Sequence, residues 1–103
     1  MAMTIKTQVA QETGTLSLEG RFDFNVQRDF RQGYESLLHQ PGVTRVELDL
    51  RGVDYIDSSA LGMLLVLKEV MEKSRQQLTI TNCTDPVRKV LDVANFGRLF
   101  VLV

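Results

Sequence analysis

Apolar positions along the chain recur at two spacings, and the spacings alternate. Ile5, Thr7 and Val9 alternate with polar neighbours, a period of two that predicts a strand. Gln11-Glu12-Thr13-Gly14 reads as a hairpin turn. Leu16 and Leu18, set between Thr15, Ser17 and Glu19, predict a second strand ending at Gly20. The period then changes. Val26, Phe30, Tyr34, Leu37 and Leu38 fall on one stripe of a helix, with Asp23 or Asn25 to cap its start and Pro41-Gly42 to end it.

The pattern repeats downstream. Val46, Leu48 and Leu50 alternate with charged residues as a third strand, and Arg51 to Asp57 reads as a loop. A second helix is expected from about Ser58 to Ser74. Its apolar residues cover most of the circumference, which predicts deep burial, and Lys68–Glu72 and Glu69–Lys73 mark its solvated last turns. Leu78 and Ile80 carry a fourth strand. Asp85 reads as an N-cap with Pro86 at the first helical position. Val87, Val90, Leu91 and Ala94 form a third amphipathic stripe that stops at Gly97, and Leu99 to Val103 is a short final strand.

This order predicts one α/β domain over residues 1–103, with a mixed sheet of about five strands and right-handed crossovers. Strands covered on both faces read as continuous apolar runs, whereas these alternate. The helices are therefore expected mainly on one face, with the other face partly wet.

Composition narrows the function classes. Twelve basic residues against 13 acidic ones give no basic field to hold nucleic acid. No apolar run approaches the ~20 residues of a membrane span, and the first ten residues lack a basic-then-apolar leader. A single cysteine, Cys83, makes no internal disulfide and suits a reducing compartment, so a cytoplasmic protein is expected. A monomer is the default expectation, with the wet sheet face open as a self-association surface. Catalysis is not expected. The lone histidine, His39, sits at the end of the first helix, where it complements the helix dipole, and no Gly-x-Ser-x-Gly turn is present. Ligands for a metal or cofactor are not clustered. A phosphoaspartate receiver would carry an acidic pair after its first strand, and none stands there.

The candidate chemistry lies at Asp57-Ser58-Ser59, where the loop enters the second helix. Backbone N–H groups at a helix start lack partners and carry a partial positive charge. A serine there either caps the helix or accepts a phosphate that those groups hold, adding about −1.5 to −2 charge beside Asp57. Gly62 inside the helix costs roughly 0.5–1 kcal/mol against alanine, so close packing or a partner is expected to compensate. Met63 and Val66 read either as core or as part of a partner-binding patch.

Asp57-Ser58-Ser59-Ala60-Leu61-Gly62 resembles the Asp-Ser-Ser/Thr-Gly-Leu-Gly phosphorylation motif of the STAS family of bacterial anti-sigma-factor antagonists. Gly20-Arg21-Phe22-Asp23 is similar to the family's Gly-Glu-Leu-Asp turn, and Pro86-Val87-Arg88-Lys89-Val90-Leu91 to its third helix. The resemblance implies phosphorylation at Ser58. It also implies a partner-binding and phosphosite environment made of Asp23, Asp57, Ser59, Ala60, Leu61 and Gly62. The implied mechanism is partner switching. The unphosphorylated protein binds an anti-sigma factor and frees a sigma factor. A serine kinase, often the anti-sigma factor itself, phosphorylates Ser58 with ATP and Mg²⁺, and a PP2C-type phosphatase reverses the step. Ala60 stands where glycine is usual, and Arg21 where glutamate is usual. The rival of the same fold is a non-catalytic scaffold subunit of a lipid-transport or stress-signalling complex, which often lacks the Asp-Ser pair.

Overall fold

The computed structural model describes residues 3–103; Met1 and Ala2, part of the stretch read above for a leader, lie outside the described residues. The elements are β1 (Thr4–Ala10), β2 (Thr13–Phe22), α1 (Gln27–Leu38), β3 (Arg45–Ile56), α2 (Ser58–Lys73), β4 (Gln77–Thr81), α3 (Asp85–Val93) and β5 (Val101–Leu102). Short 3₁₀ turns at Phe24–Val26 and Phe96–Arg98 precede α1 and β5.

The five strands lie in the sheet in chain order. β1 pairs antiparallel with β2, and every later neighbour pair is parallel. Parallel neighbours need crossovers, and crossovers of the usual hand that step in one direction place α1, α2 and α3 on the same face. Burial follows this layout. Leu16, Leu18, Val46, Leu48, Leu50 and Ile80 are buried among the helices. Ser17, Glu47, Asp49, Thr79 and Thr81, on the other face, stay partly exposed. Buried side chains from the strands and all three helices form one core. Among the described residues no helix is long and apolar enough to cross a membrane.

The strands that carry the site are longer than the sequence pattern implies. Residues 51–56, expected as loop, continue β3, and β2 runs past Gly20 to Phe22. A register shift at Ser17/Glu19 lets the ladder resume with Glu19 beside Gly52, and a second shift at Gly20/Arg21 brings it to Phe22 beside Ile56. Gly52 makes this possible: a Cβ there would lie 2.9 Å from the Leu18 carbonyl oxygen and against Glu19. Arg51-Gly52, which opens the expected loop, is a bulge within the strand.

Other boundaries shift for local reasons. Thr84, not Asp85, precedes α3 as its cap residue, and Pro86 is the second helical residue. The Thr84 hydroxyl donates to the Val53 carbonyl at 2.7 Å instead of capping, which ties α3 to the end of β3. The final strand is confined to Val101–Leu102, because Phe96–Arg98 turns before it. Of the two expected ion pairs on α2, only Lys68–Glu72 closes, at 2.9 Å.

Replacing Gly52 with valine is expected to cost about 1–3 kcal/mol, as overpacking does. Urea denaturation checks this. A loss below about 0.5 kcal/mol would mean that the bulge tolerates a side chain.

Candidate functional site

The site forms where β2 and β3 end side by side. The Asp57 amide donates to the Phe22 carbonyl at 3.3 Å, so the exit of β2 and the entry of α2 are joined directly. Aromatic packing fixes the β2 side. The Phe22 and Phe30 ring centroids are 5.0 Å apart, and Phe30 meets Tyr34 edge-on at 5.4 Å. Asp23 follows at once and accepts the Asn25 amide at 3.0 Å, capping the 3₁₀ turn ahead of α1. The sequence expectation that Asp23 caps this segment therefore holds one turn earlier than α1 itself.

Asp57 caps α2. Its Oδ1 accepts the Ala60 amide at 3.0 Å, and its carbonyl accepts the Leu61 amide at 3.2 Å. This separates two readings that the sequence left together. The cap belongs to Asp57, and the exposed Ser58 side chain makes no hydrogen bond. The backbone amides of Ser58 and Ser59 also have no main-chain acceptor. A free hydroxyl thus sits in solvent at the first residue of a helix, beside two unspent donors and the partial positive charge of the helix start.

The remaining residues of the motif divide by face. Ala60 is fully buried, so it spaces the helix from the core and cannot touch a partner. Leu61 is half-buried against the same core. Ser59 is half-exposed, and Gly62 is exposed with nothing within 4 Å of where a Cβ would stand. The alternative that Gly62 serves tight internal packing is therefore overturned. The expectation that α2 is buried around most of its circumference is overturned too. Only Ala60, Met63, Leu64, Leu67 and Met71 are buried, while Leu65 and Val66 are 41% and 52% exposed. Met63 is core and Val66 is surface.

That exposed apolar strip borders a groove of about 670 Å³ between α1 and α2. Phe24, Tyr34, Gly62, Met63, Val66 and Val70 line it, and Ser59 stands at its end beside Ser58. Phe24 is 64% exposed, an aromatic ring held in water by the 3₁₀ turn. Sequence reasoning missed Phe24, whose only signal was a large apolar residue beside a cap. Burial and the Glu35 charge push the Tyr34 hydroxyl above its usual range, against the opposing pull of Arg31, so it faces the groove protonated at neutral pH.

On the other side of β2 and β3 lies a contact that sequence spacing does not show. Arg21 and Tyr55 are register partners, and the guanidinium carbon lies 3.9 Å from the ring centroid. Arg21 Nε is 3.7 Å from Asp23 Oδ2. Register, not sequence distance, brings residues 21 and 55 together.

A family model described as "Mlab, STAS domain" matches residues 5–103. The chain belongs to the STAS family. A STAS-domain-containing protein of Pseudomonas aeruginosa (strain UCBPP-PA14) is 41% identical over 100 residues, covering 97% of each chain. The anti-sigma F factor antagonist of Lysinibacillus sphaericus is 26% identical over 89 residues, which cover 86% of this chain and 76% of the relative. Among solved structures, the unphosphorylated form of the anti-sigma factor antagonist SpoIIAA superposes with a TM-score of 0.79 at 22% identity, over 97% of this chain and 88% of that one. SpoIIAA of Bacillus is also solved in a phosphorylated form, with a TM-score of 0.71 at 21% identity over 97% and 91% of the two chains. The STAS fold accounts for the mixed sheet and the one-sided helices, and the mouth of α2 is the place in it where this chain leaves a hydroxyl free.

Removing the Asp57 cap by alanine substitution is expected to cost about 1 kcal/mol of stability, and Ser58→Ala less than about 0.5. Gly62→Ala is expected to stabilise by roughly 0.5–1 kcal/mol, since the added methyl meets open space. Chemical denaturation of the three variants checks all three signs. An equal loss at Ser58 and Asp57 would return the capping role to the serine.

Proposed function

We propose that this chain is a cytoplasmic anti-sigma-factor antagonist that acts by binding and is switched by phosphorylation of Ser58. The observation that carries the reading is the free, exposed Ser58 hydroxyl at a helix whose cap is already supplied by Asp57. A kinase can take that hydroxyl without uncapping α2. The resulting ester adds about −1.5 to −2 charge and three acceptor oxygens at the end of the groove. The names of the antagonist relatives support the same role.

In the unphosphorylated state the partner, an anti-sigma factor or switch kinase, packs over the helix mouth and the groove of Phe24, Gly62 and Val66. Gly62 lets its backbone approach closely, and Phe24 and Val66 lose their water, a favourable term of roughly 25 cal/mol per Å² of apolar surface covered. Phosphorylation sets a hydrated dianion beside Asp57 at this seam, and burying it without a paired cation is costly. The partner leaves, and a PP2C-type phosphatase restores docking. Asp23 and Asp57 shape the phosphosite, with Ser59 and Gly62 on the docking side and Ala60 and Leu61 supporting from within. In this scheme the chain is a substrate of its regulators and performs no catalysis.

Calorimetry against the purified cognate anti-sigma factor tests the proposal. Ser58→Ala is expected to bind like the unmodified protein and Ser58→Asp at least about tenfold more weakly, a difference of about 1.4 kcal/mol. Incubation with the kinase and ATP is expected to add one phosphate, at Ser58 by mass spectrometry. Equal affinities of the Ala and Asp forms, or a phosphate on Ser59 alone, would contradict the switch. Equal affinities would favour a scaffold subunit.

A further inference from the structure

We infer that Arg21 selects the partner of this chain by presenting a preset guanidinium to a carboxylate on the docking protein. The inference rests on the partner-switch reading of the same site and adds the chemistry by which one partner is preferred.

The Arg21 side chain is 59% exposed, yet it is held at two points. Its guanidinium carbon lies 3.9 Å from the Tyr55 ring centroid, a cation–π stack. Its Nε lies 3.7 Å from Asp23 Oδ2, near enough to share charge and too far for a hydrogen bond. An arginine carries five N–H donors in a planar fork, and none of those of Arg21 meets an acceptor among the described residues. The fork is oriented, and all its donors are unspent. Much of the ordering cost that a free arginine bears on binding has thus been met beforehand.

Its position puts this fork at the edge of the switch. Arg21 and Tyr55 are register partners, the next pair is Phe22 and Ile56, and the Phe22 carbonyl holds the amide of Asp57. Among residues 20–26 and 52–62, which build the mouth, Arg21 is the only basic residue, against Asp23, Asp54 and Asp57. Arg31, further along the groove, is paired with Glu35 at 3.4 Å. A complementary partner therefore turns cations to the carboxylates and one carboxylate to Arg21. A partner with cations throughout meets repulsion at that one point, which discriminates against it. The alternative recipient, a phosphate on Ser58, is less well placed. Phe22 and Ile56 are buried on the helix side, so by strand alternation Arg21 and Tyr55 point to the other side, whereas Ser58 starts a helix. The partner meets the fork where it extends from the groove over the ends of β2 and β3.

The test is calorimetry of Arg21→Gln, Arg21→Glu, Tyr55→Leu and Ser58→Asp against the purified anti-sigma factor, with thermal melts of each variant. Arg21→Gln is expected to weaken binding at least about tenfold, with Arg21→Glu worse and Tyr55→Leu intermediate. One acidic-to-arginine change on the partner is expected to restore binding to Arg21→Glu. If repulsion from Asp23 unfolds Arg21→Glu, rescue is read instead as a coupling energy between Arg21→Gln and the same partner position. Arg21→Gln binding within about twofold of the unmodified chain overturns the inference. So does an effect confined to the phosphorylated form, read as a shift in the ³¹P titration of phosphoserine 58. Ser58→Asp reports separately: full affinity there with a loss at Arg21 removes the switch and keeps the selectivity.

Discussion

The hydrogen bond from the Ala60 amide to Asp57 Oδ1 is the contact on which the account of this site depends. A helix start leaves several N–H groups without partners, and something must satisfy them. Had Ser58 been that partner, a phosphate would remove the cap as it added the charge, and modification would be a folding event. With Asp57 in the role, the proposed modification of Ser58 would leave the cap in place. The Ser58 oxygen is left with nothing to do in the fold, and charge can change at the surface while the core of Ala60, Leu64 and Leu67 stays in place.

The rest of the architecture delivers that arrangement. The register shift at Gly52 and a second one between Gly20 and Arg21 bring Ile56 opposite Phe22, and the Asp57 amide then meets the Phe22 carbonyl. Phe22 and Phe30 pin α1 to the end of β2, and the groove between α1 and α2 opens next to Ser59. Gly62 has no internal neighbour to explain it, so its cost to the helix is offset outside the chain or not at all. Exposed Phe24 and Val66 line the same groove, the surface on which the proposed partner would dock.

Much of this was legible in the sequence because the periods of two and 3.6 are imposed by burial on one face. The element order, the single wet face of the sheet and the stripes of α1 and α3 all follow from alternation. The motif at Asp57-Ser58-Ser59 was visible as a helix start, and its resemblance to a phosphorylation motif is local in sequence. What was not legible depends on register or on which side of a helix has a neighbour. Residues 51–56 look like a loop because a glycine bulge and polar residues break the alternation, although the ladder continues through them. α2 looks buried all round because its apolar residues are counted without knowing that one flank is left uncovered. The Arg21–Tyr55 stack joins residues 34 positions apart and has no sequence signature.

Backbone amide NMR of the chain carrying phosphoserine at position 58, compared with the unmodified chain, measures most directly whether the modification leaves the fold alone. The account predicts shifts confined to residues 57–62 and the neighbouring Asp23 turn, with the sheet and α3 unchanged. Shifts spreading through β3 and β4, or loss of helical signals in α2, would contradict it, because the phosphate would then be acting on the fold and not on the surface that a partner meets.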